Sequence, residues 1–201
     1  MTCLGIDTSG NHLTVFVMRD GNVLSVFHEN VGLKHSVTLM PVVEDLLEKL
    51  NMSLSDIDVF STVIGPGSFT GIRIGVATVK ALAYSLGKKV LAVTSFEALA
   101  YNTNDLSVIT VIDARHENYY VCGFEKGNIT IEPCFMGLDD LKKLENLPMV
   151  SDVKIPVSST VCDLVGGFIS AVKKKLDSAT YDIESLVPLY VKKSQAEEER
   201  K

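Results

Sequence analysis

The alternation of apolar and polar positions predicts three strands joined by tight turns at the start of the chain, over residues 2–6, 12–18 and 23–27. Between the second and third of these strands stands Asp20-Gly21-Asn22, a sequence typical of a hairpin turn. Apolar residues at helical spacing then predict a helix over 36–50. Strands followed by helices favour an α/β fold.

The second half of the chain begins with the same pattern. Its predicted strands cover residues 107–112, 119–124 and 129–135. Gly127 follows Asp113 at the spacing at which Gly21 follows Asp7, and one offset of 106 residues (113 − 7) relates both pairs. A repeated unit of this kind predicts a duplicated fold with an approximate two-fold relation.

After residue 135 the repeat weakens. Helices are predicted over 137–144 and 160–175, and residues 182–193 are predicted to pack back on the body of the protein. We therefore predict an N-terminal lobe over 1–104 and a smaller C-terminal lobe over 105–201.

The most informative segment is residues 65–75, Gly-Pro-Gly-Ser-Phe-Thr-Gly-Ile-Arg-Ile-Gly, between a predicted strand and a predicted helix over 70–86. Such a turn presents backbone N–H groups at a helix N-terminus, where an anion can bind. It lacks the Lys of a Walker A loop and the glycine spacing of the dinucleotide fingerprint. The candidate nucleotide- or anion-binding residues are Asp7, Thr8, Ser9, Gly65, Gly67 and Ser68.

The helix over 70–86 carries two charges, Arg73 and Lys80. Each interior glycine costs roughly 1 kcal/mol relative to alanine, which predicts a close approach at Gly71 and Gly75. Patterning alone leaves open whether the helix is sandwiched within its own domain or covered by a partner's helix. If a partner covers it together with the helix over 36–50, the predicted surface comprises Leu39, Met40, Val43, Leu47, Gly71, Ile74, Gly75, Thr78, Ala81 and Leu82.

Composition narrows the function classes. The chain has 201 residues and a net charge of −6, which makes it a poor stand-alone binder of nucleic acid. Its four cysteines form no CxxC pair, as expected of a protein from a reducing cytoplasm. Neither a signal peptide nor an apolar run of membrane-spanning length is recognisable.

Catalytic patterns are missing as well. The four histidines form neither an HxxxH nor an HExxH pair, so no histidine-based metal site is predicted. Ser68 does not lie in a G-x-S-x-G elbow and is expected to cap the helix instead. Asp113 is expected to cap its own turn, whereas Asp7 could also hold a metal-bound phosphate between the lobes. The isolated chain is therefore expected to have no chemistry of its own.

Several motifs together resemble the bacterial TsaB (YeaZ) family. They are Asp7-Thr8-Ser9, His35-Ser36 with Leu39 and Pro41, the segment 65–75, Asp113-Ala-Arg, and Pro188-Leu-Tyr-Val-Lys. They occur in family order over nearly the whole chain. The resemblance implies an actin/Hsp70/sugar-kinase-like (ribonuclease H-like) fold with a reduced second lobe.

The resemblance also implies a function. Members are non-catalytic partners of TsaD, a paralogue that synthesises threonylcarbamoyladenosine next to the anticodon of tRNA. The implied assembly includes the TsaE ATPase, admits ATP or ADP at the interface with TsaD, and contacts tRNA through the complex. Alone, the chain is expected to be a homodimer without a cofactor. At Gly75, a Gly75→Leu change should then remove the partner and leave the fold.

Two alternatives stay open. An active ATPase or phosphotransferase of the same fold would need an adenosine pocket, for which Gly166-Gly167 is the candidate. Residues 157–160, Val-Ser-Ser-Thr, replace glycines of many relatives and count against a nucleotide grip by the second lobe. The other alternative is a self-standing homodimeric scaffold.

Overall fold

Two five-stranded sheets with the same strand order frame the molecule in the computed structural model, which describes residues 1–32, 34–103 and 107–192. The first sheet has the order β3-β2-β1-β4-β5, with β1 Thr2–Asp7, β2 His12–Arg19, β3 Asn22–Asn30, β4 Val59–Val63 and β5 Lys89–Val93. The second has the order β8-β7-β6-β9-β10, with β6 Ser107–Asp113, β7 Asn118–Glu125, β8 Asn128–Gly137, β9 Met149–Ser151 and β10 Thr160–Val161. In each sheet the first three strands are antiparallel and the last two run parallel to the first, which confirms the duplicated α/β fold.

Helices cover both faces of the first sheet. The helices are α1 His35–Lys49, α2 Phe69–Leu86, α3 Ser95–Ala100, α4 Leu138–Lys142 and α5 Leu164–Lys175. Side chains alternate along β1, so Leu4 and Ile6 share a buried cluster with residues of α1 and α2. Cys3 faces the other way and lies in a cluster with Phe168 of α5. The helix α5 thus belongs to the second half in sequence but packs against the first sheet.

The second half is the smaller copy, as predicted. The helix α2 connects β4 to β5, whereas the corresponding residues 152–159 between β9 and β10 form no helix. One prediction here was wrong: residues 160–175 are not one helix, because Thr160–Val161 pairs with β9 as an edge strand. The helix begins only after Asp163, whose carboxylate accepts the Val165 and Gly166 amides at 3.0 and 3.1 Å.

The described part of the C-terminal segment packs on the first half. We call residues 183–192 the strap. Leu186 enters the cluster beneath α1 and α2, and the Leu189 amide donates to the Ile64 carbonyl at 2.8 Å. The predicted end of this segment, Lys193, lies outside the described residues, and so does the predicted lobe boundary at 104/105. Among the helices that the structure describes, none is both long and apolar enough to cross a membrane.

Candidate functional site

The candidate site is built around the carboxylate that ends β1. Asp7 is 3% exposed, and its Oδ1 accepts the Ser9 amide at 2.8 Å. Its Oδ2 lies 2.9 Å from Nε2 of His12, the first residue of β2. Burial by itself raises the pKa of Asp7, but the hydrogen bond and charge of His12, with the Ser9 amide, lower the pKa below its ordinary value. Asp7 is therefore a buried carboxylate held by the Ser9 amide and His12, and the contact with His12 is an ion pair when His12 is protonated.

The glycine-rich turn packs directly against the turn that follows Asp7, at Thr8 and Ser9. The Ser68 amide donates to the Ser9 carbonyl at 2.6 Å, and the Thr8 hydroxyl donates to the Gly71 carbonyl at 2.7 Å. A Cβ at Gly67 would collide with the Ser9 carbonyl oxygen, and one at Gly71 with the Thr8 carbonyl oxygen. These glycines are present because two backbones touch, as the sequence predicts, but the second backbone belongs to the same chain.

This packing changes what the turn can bind. Ser68 caps α2 as predicted, since its hydroxyl accepts the Gly71 amide at 3.2 Å. Its amide, which an anion in the turn would need, is held by the Ser9 carbonyl. Carbonyl oxygens carry partial negative charge, so the Ser9 carbonyl disfavours an anion at the Ser68 amide. The structure brings five of the candidate residues together, Asp7, Thr8, Ser9, Gly67 and Ser68, and they pack against one another.

Gly65, the remaining candidate, is fixed by other contacts. Its φ is +108°, a conformation that favours glycine, and a Cβ there would lie 2.9 Å from the Leu189 carbonyl oxygen of the strap. Its carbonyl accepts the Ser95 amide at 2.8 Å. The strap and the first turn of α3 therefore close this end of the site.

The second half places a similar carboxylate in a different setting. Asp113 is exposed, and its Oδ1 accepts the Arg115 amide at 2.8 Å, which is the turn-capping role expected from sequence. Asp152, after β9, accepts the Asp113 amide at 3.1 Å. Burial, together with the charge of Asp113, raises the pKa of Asp152 to about 6. The charge of Asp152 in turn helps to raise the pKa of His12.

No metal or adenosine site emerges from these residues. Across the described ranges, no group of three His, Cys, Asp or Glu side chains has the arrangement of a metal site. The Gly166-Gly167 pair is a packing feature, since a Cβ at Gly167 would collide with the Ala98 carbonyl oxygen of α3. The candidate for an adenosine pocket is thus occupied by a helix–helix contact.

Half of the predicted partner surface needs correction. Leu39, Val43 and Leu47 lie in the cluster beneath α1, and Gly71 and Gly75 are also buried. A Cβ at Gly75 would lie 2.6 Å from the Thr8 hydroxyl oxygen and 2.8 Å from that of Thr62. The residues that keep exposed surface are Met40, Ile74, Thr78, Ala81 and Leu82. A large side chain at Gly75 would disturb this chain before it reached a partner.

Sequence reasoning missed three features of the site. His12 was one of four histidines without a motif, and its pairing with Asp7 arises because the residues flank one hairpin connection. Asp152 follows a strand of three residues, too short to show a period. At the exposed side of α2, Arg73 lies 3.7 Å over the Phe69 ring and donates to the Tyr190 hydroxyl of the strap at 2.8 Å.

Comparisons with known proteins agree with this architecture. The family model that matches, "TsaD: tRNA N6-adenosine threonylcarbamoyltransferase", covers residues 26–162. A TsaB protein of Bacillus subtilis, named "tRNA threonylcarbamoyladenosine biosynthesis protein TsaB", is 37% identical over 134 residues, which is 66% of this chain and 58% of that protein. The Escherichia coli protein of the same name is 32% identical over 63% of this chain and 56% of its own length. The chain thus matches little more than half the length of these curated relatives.

A solved structure extends the match to nearly the whole fold. It is "YeaZ from Pseudomonas aeruginosa", with a TM-score of 0.75, 24% identity, and coverage of 94% of this chain and 99% of that chain. At this identity the likeness establishes the fold, and the family rests on the sequence matches. On the combined evidence, the chain belongs to the TsaB (YeaZ) family.

Proposed function

We propose that this chain is a non-catalytic partner of a TsaD protein in the synthesis of threonylcarbamoyladenosine in tRNA. The family relationship supports the pathway, because the curated relatives are named for it and the matching family model describes a tRNA threonylcarbamoyltransferase. The chain would act in the cytoplasm without a cofactor of its own, and its four cysteines are free thiols. ATP or ADP, the TsaE ATPase and tRNA would all be engaged through the complex.

The proposal that the chain is non-catalytic rests on the glycine-rich turn, whose Ser68 amide is already bonded within the chain. The Ser9 carbonyl holds the Ser68 amide, and the strand-end carboxylate Asp7 is engaged by His12 and the Ser9 amide. A free carboxylate at the end of a strand could hold a metal-bound phosphate, and free amides at a helix N-terminus could bind the phosphate itself. Here the same groups hold the protein's own backbone, so a structural role is favoured.

The outer faces of α1 and α2 support the partner role. Val37 is 70% exposed and Tyr84 is 81% exposed, although both are large apolar or aromatic side chains. Between them, α2 presents Ala77 and Ala81, small residues that allow another helix to approach closely. We define the α1–α2 surface as the exposed residues Val37, Ala77, Ala81 and Tyr84 together with the partly exposed residues Met40, Ile74, Thr78 and Leu82. It would pair two copies of this chain in isolation, and a TsaD subunit would replace one copy.

Co-purification with a TsaD protein, followed by a tRNA modification assay, tests the proposal. Ala81→Arg adds a charge at the centre of the α1–α2 surface, where the side chain is exposed and the fold should tolerate it. We expect this variant to elute as a monomer, to lose TsaD and to abolish the stimulation of modification. Asn146→Arg adds the same charge at an exposed site of the second half and should behave as wild type. Equal association by both variants would contradict the proposed surface.

The active-enzyme alternative has a separate test. The purified chain should hydrolyse ATP no faster than buffer, and Asp7→Asn should leave that rate unchanged. A robust ATPase rate that disappears in Asp7→Asn would establish catalysis by this chain and overturn the non-catalytic role. Filter retention of tRNA at physiological salt should likewise be weak for the isolated chain, because its net charge is −6.

A further inference from the structure

One residue, His12, is linked by hydrogen bonds to the starts of both outer helices. Its Nε2 bonds Asp7 Oδ2 at 2.9 Å, and its carbonyl accepts a hydrogen bond from Nε2 of His35 at 2.9 Å. His35 is the first residue of α1 and is 4% exposed. The position of α1 is therefore tied directly to the backbone of His12.

The connection to α2 runs through the other oxygen of the carboxylate. Asp7 Oδ1 accepts the Ser9 amide at 2.8 Å, and the Ser9 carbonyl accepts the Ser68 amide at 2.6 Å. Beside it, the Thr8 hydroxyl donates to the Gly71 carbonyl at 2.7 Å. Each bond joins residues that are buried or at the helix start, so a shift of the Asp7 carboxylate is passed to the first turn of α2.

The charges around His12 come from both halves. Asp7, at the end of β1, bonds the His12 ring, and the charge of Asp152, after β9, acts on the same ring. Asp152 also accepts the amide of Asp113, at the end of β6. Burial by itself lowers the pKa of His12, but the hydrogen bond and charge of Asp7, with the charge of Asp152, raise it above its ordinary value of 6.5. The ring also packs against Gly10, where a Cβ would lie 2.8 Å from two of its atoms.

We propose that His12 is a protonation-dependent positioning residue, which couples the charge state of the His12–Asp7 pair to the seating of α1 and α2. The protonated ring both donates to Asp7 and compensates its charge. The neutral ring can still donate from Nε2 but leaves the buried carboxylate without a counter-charge. Loss of the proton therefore loosens the turn at residues 7–9 and, through Ser68, the start of α2.

The pH range in which the His12–Asp7 pair stabilises the fold follows from the shifted pKa values of these two residues. Because the folded state holds the His12 proton more tightly than the unfolded chain, this contribution is complete below 6.5 and is lost as the pH rises through the folded-state pKa of His12. The pKa of Asp7 is lowered, so its contribution is present above 3.8 and is lost as the pH falls through its folded-state pKa. The helices should be seated most firmly between these limits.

Nuclear magnetic resonance on the full chain tests the coupling. The imidazole signals of His12 are followed between pH 5 and 9 together with the amide signals of Ser9, Ser68 and Gly71. We expect His12 to titrate with a midpoint above 6.5 and the three amides to shift with that same midpoint. The amide of Thr130, on β8, is the control and should not follow.

Two variants separate positioning from a merely structural role. His12→Gln keeps an N–H donor without a titrating charge, so the steps at Ser9 and Ser68 should vanish while the fold remains. Asp152→Asn keeps the acceptor for the Asp113 amide and removes a charge that raises the pKa of His12, so the His12 midpoint should fall.

The inference would be overturned by either of two results in the wild-type chain. One is a His12 midpoint at or below 6.5, and the other is amide shifts at Ser68 and Gly71 that do not share the His12 midpoint. An unchanged His12 midpoint in Asp152→Asn would refute the link to the second half. These readouts remain decisive if His12→Gln does not fold, and none of them depends on TsaD or on the proposed function.

Discussion

The turns that follow β1 and β6 are related by the duplication, yet they have opposite roles. Asp7 is buried, ion-paired to His12, and its turn supports α2. Asp113 is exposed, and its turn carries a run of three residues at positive φ, Arg115, His116 and Glu117. The difference shows which of the two related turns is still held in place by packing. The turn after β1 is held where the helix α2 follows the parallel strand β4. The turn after β6 is free of such packing, because no helix follows the parallel strand β9.

The largest expected difference between the two turns is at their aspartates. Asp7→Ala would remove the buried carboxylate that pairs with the partly buried His12 and accepts the Ser9 amide, and should reduce the free energy of unfolding by about 3–5 kcal/mol. Asp113→Ala removes an exposed cap and should cost about 0.5–1.5 kcal/mol. Urea denaturation monitored by circular dichroism gives both values. Equal losses would mean that the buried pair contributes no more than an exposed cap.

The reach of sequence reasoning differs between the same two regions. The strands and helices of the first half were predictable because each is long enough to show the two-residue alternation of a strand or the roughly 3.6-residue repeat of a helix. The glycine-rich segment correctly predicted a close approach of another backbone. The identity of the approaching backbone was not predictable, because Thr8 and Ser9 lie some sixty positions earlier in the chain. Only the fold brings them to Gly67 and Gly71.

In the second half the sequence carried less information. The strands β9 and β10 have three and two residues, too few to show alternation, and β10 was absorbed into a predicted helix. Without β9, the position of Asp152 beside Asp113 could not be inferred. The pairing of His12 with Asp7 was missed for a related reason, since a hairpin connection between strands leaves no spacing motif.

The glycines offer the next contrast. Gly71→Ala places a Cβ against the Thr8 carbonyl oxygen, which cannot move without breaking the turn, and should destabilise the protein by about 1–3 kcal/mol. Gly137, before α4, has an ordinary negative φ, and a Cβ there would meet only the Asn118 side chain at 4.0 Å. Gly137→Ala should therefore change stability by less than about 0.5 kcal/mol.

Thermal unfolding of both glycine variants measures this contrast directly. A Gly71→Ala protein as stable as wild type would show that the turn after β1 can yield, and the distinction between a constrained and a relaxed turn would fail. The Gly75→Leu change belongs to the same class, and we now expect it to lower the melting temperature before any effect on association appears.

A smaller effect of opposite sign is expected at Asp152. Its pKa is raised to about 6, so the folded state binds this proton more tightly and loses stability as the pH rises from 3.8 through 6. Asp152→Asn removes that loss and keeps the hydrogen bond from the Asp113 amide. We expect a gain of about 1–2 kcal/mol at pH 7.5, less than the full shift implies because the side chain is partly solvated.

The pH dependence distinguishes this explanation from a general effect of the substitution. At pH 4 the gain in Asp152→Asn should be much smaller, because the wild-type carboxyl is then largely protonated in the folded protein. Urea titrations at both pH values provide the comparison. A gain of the same size at pH 4 and pH 7.5 would rule out the buried charge as its cause.

The smallest expected effect concerns the left-handed run of the second turn. His116 is exposed, with a φ of 53°, and its carbonyl accepts the Asn118 side-chain amide at 2.7 Å. A non-glycine residue in this conformation costs about 1–2 kcal/mol, whereas glycine adopts it freely but loses more entropy on folding. His116→Gly should therefore stabilise the protein by about 0.5–1 kcal/mol, seen as a higher melting temperature. Asn146→Gly, at an exposed position without positive φ, should lower it instead. If both variants lost stability equally, the second turn would be as well fitted to its sequence as the first, and the contrast between the two would rest on burial alone.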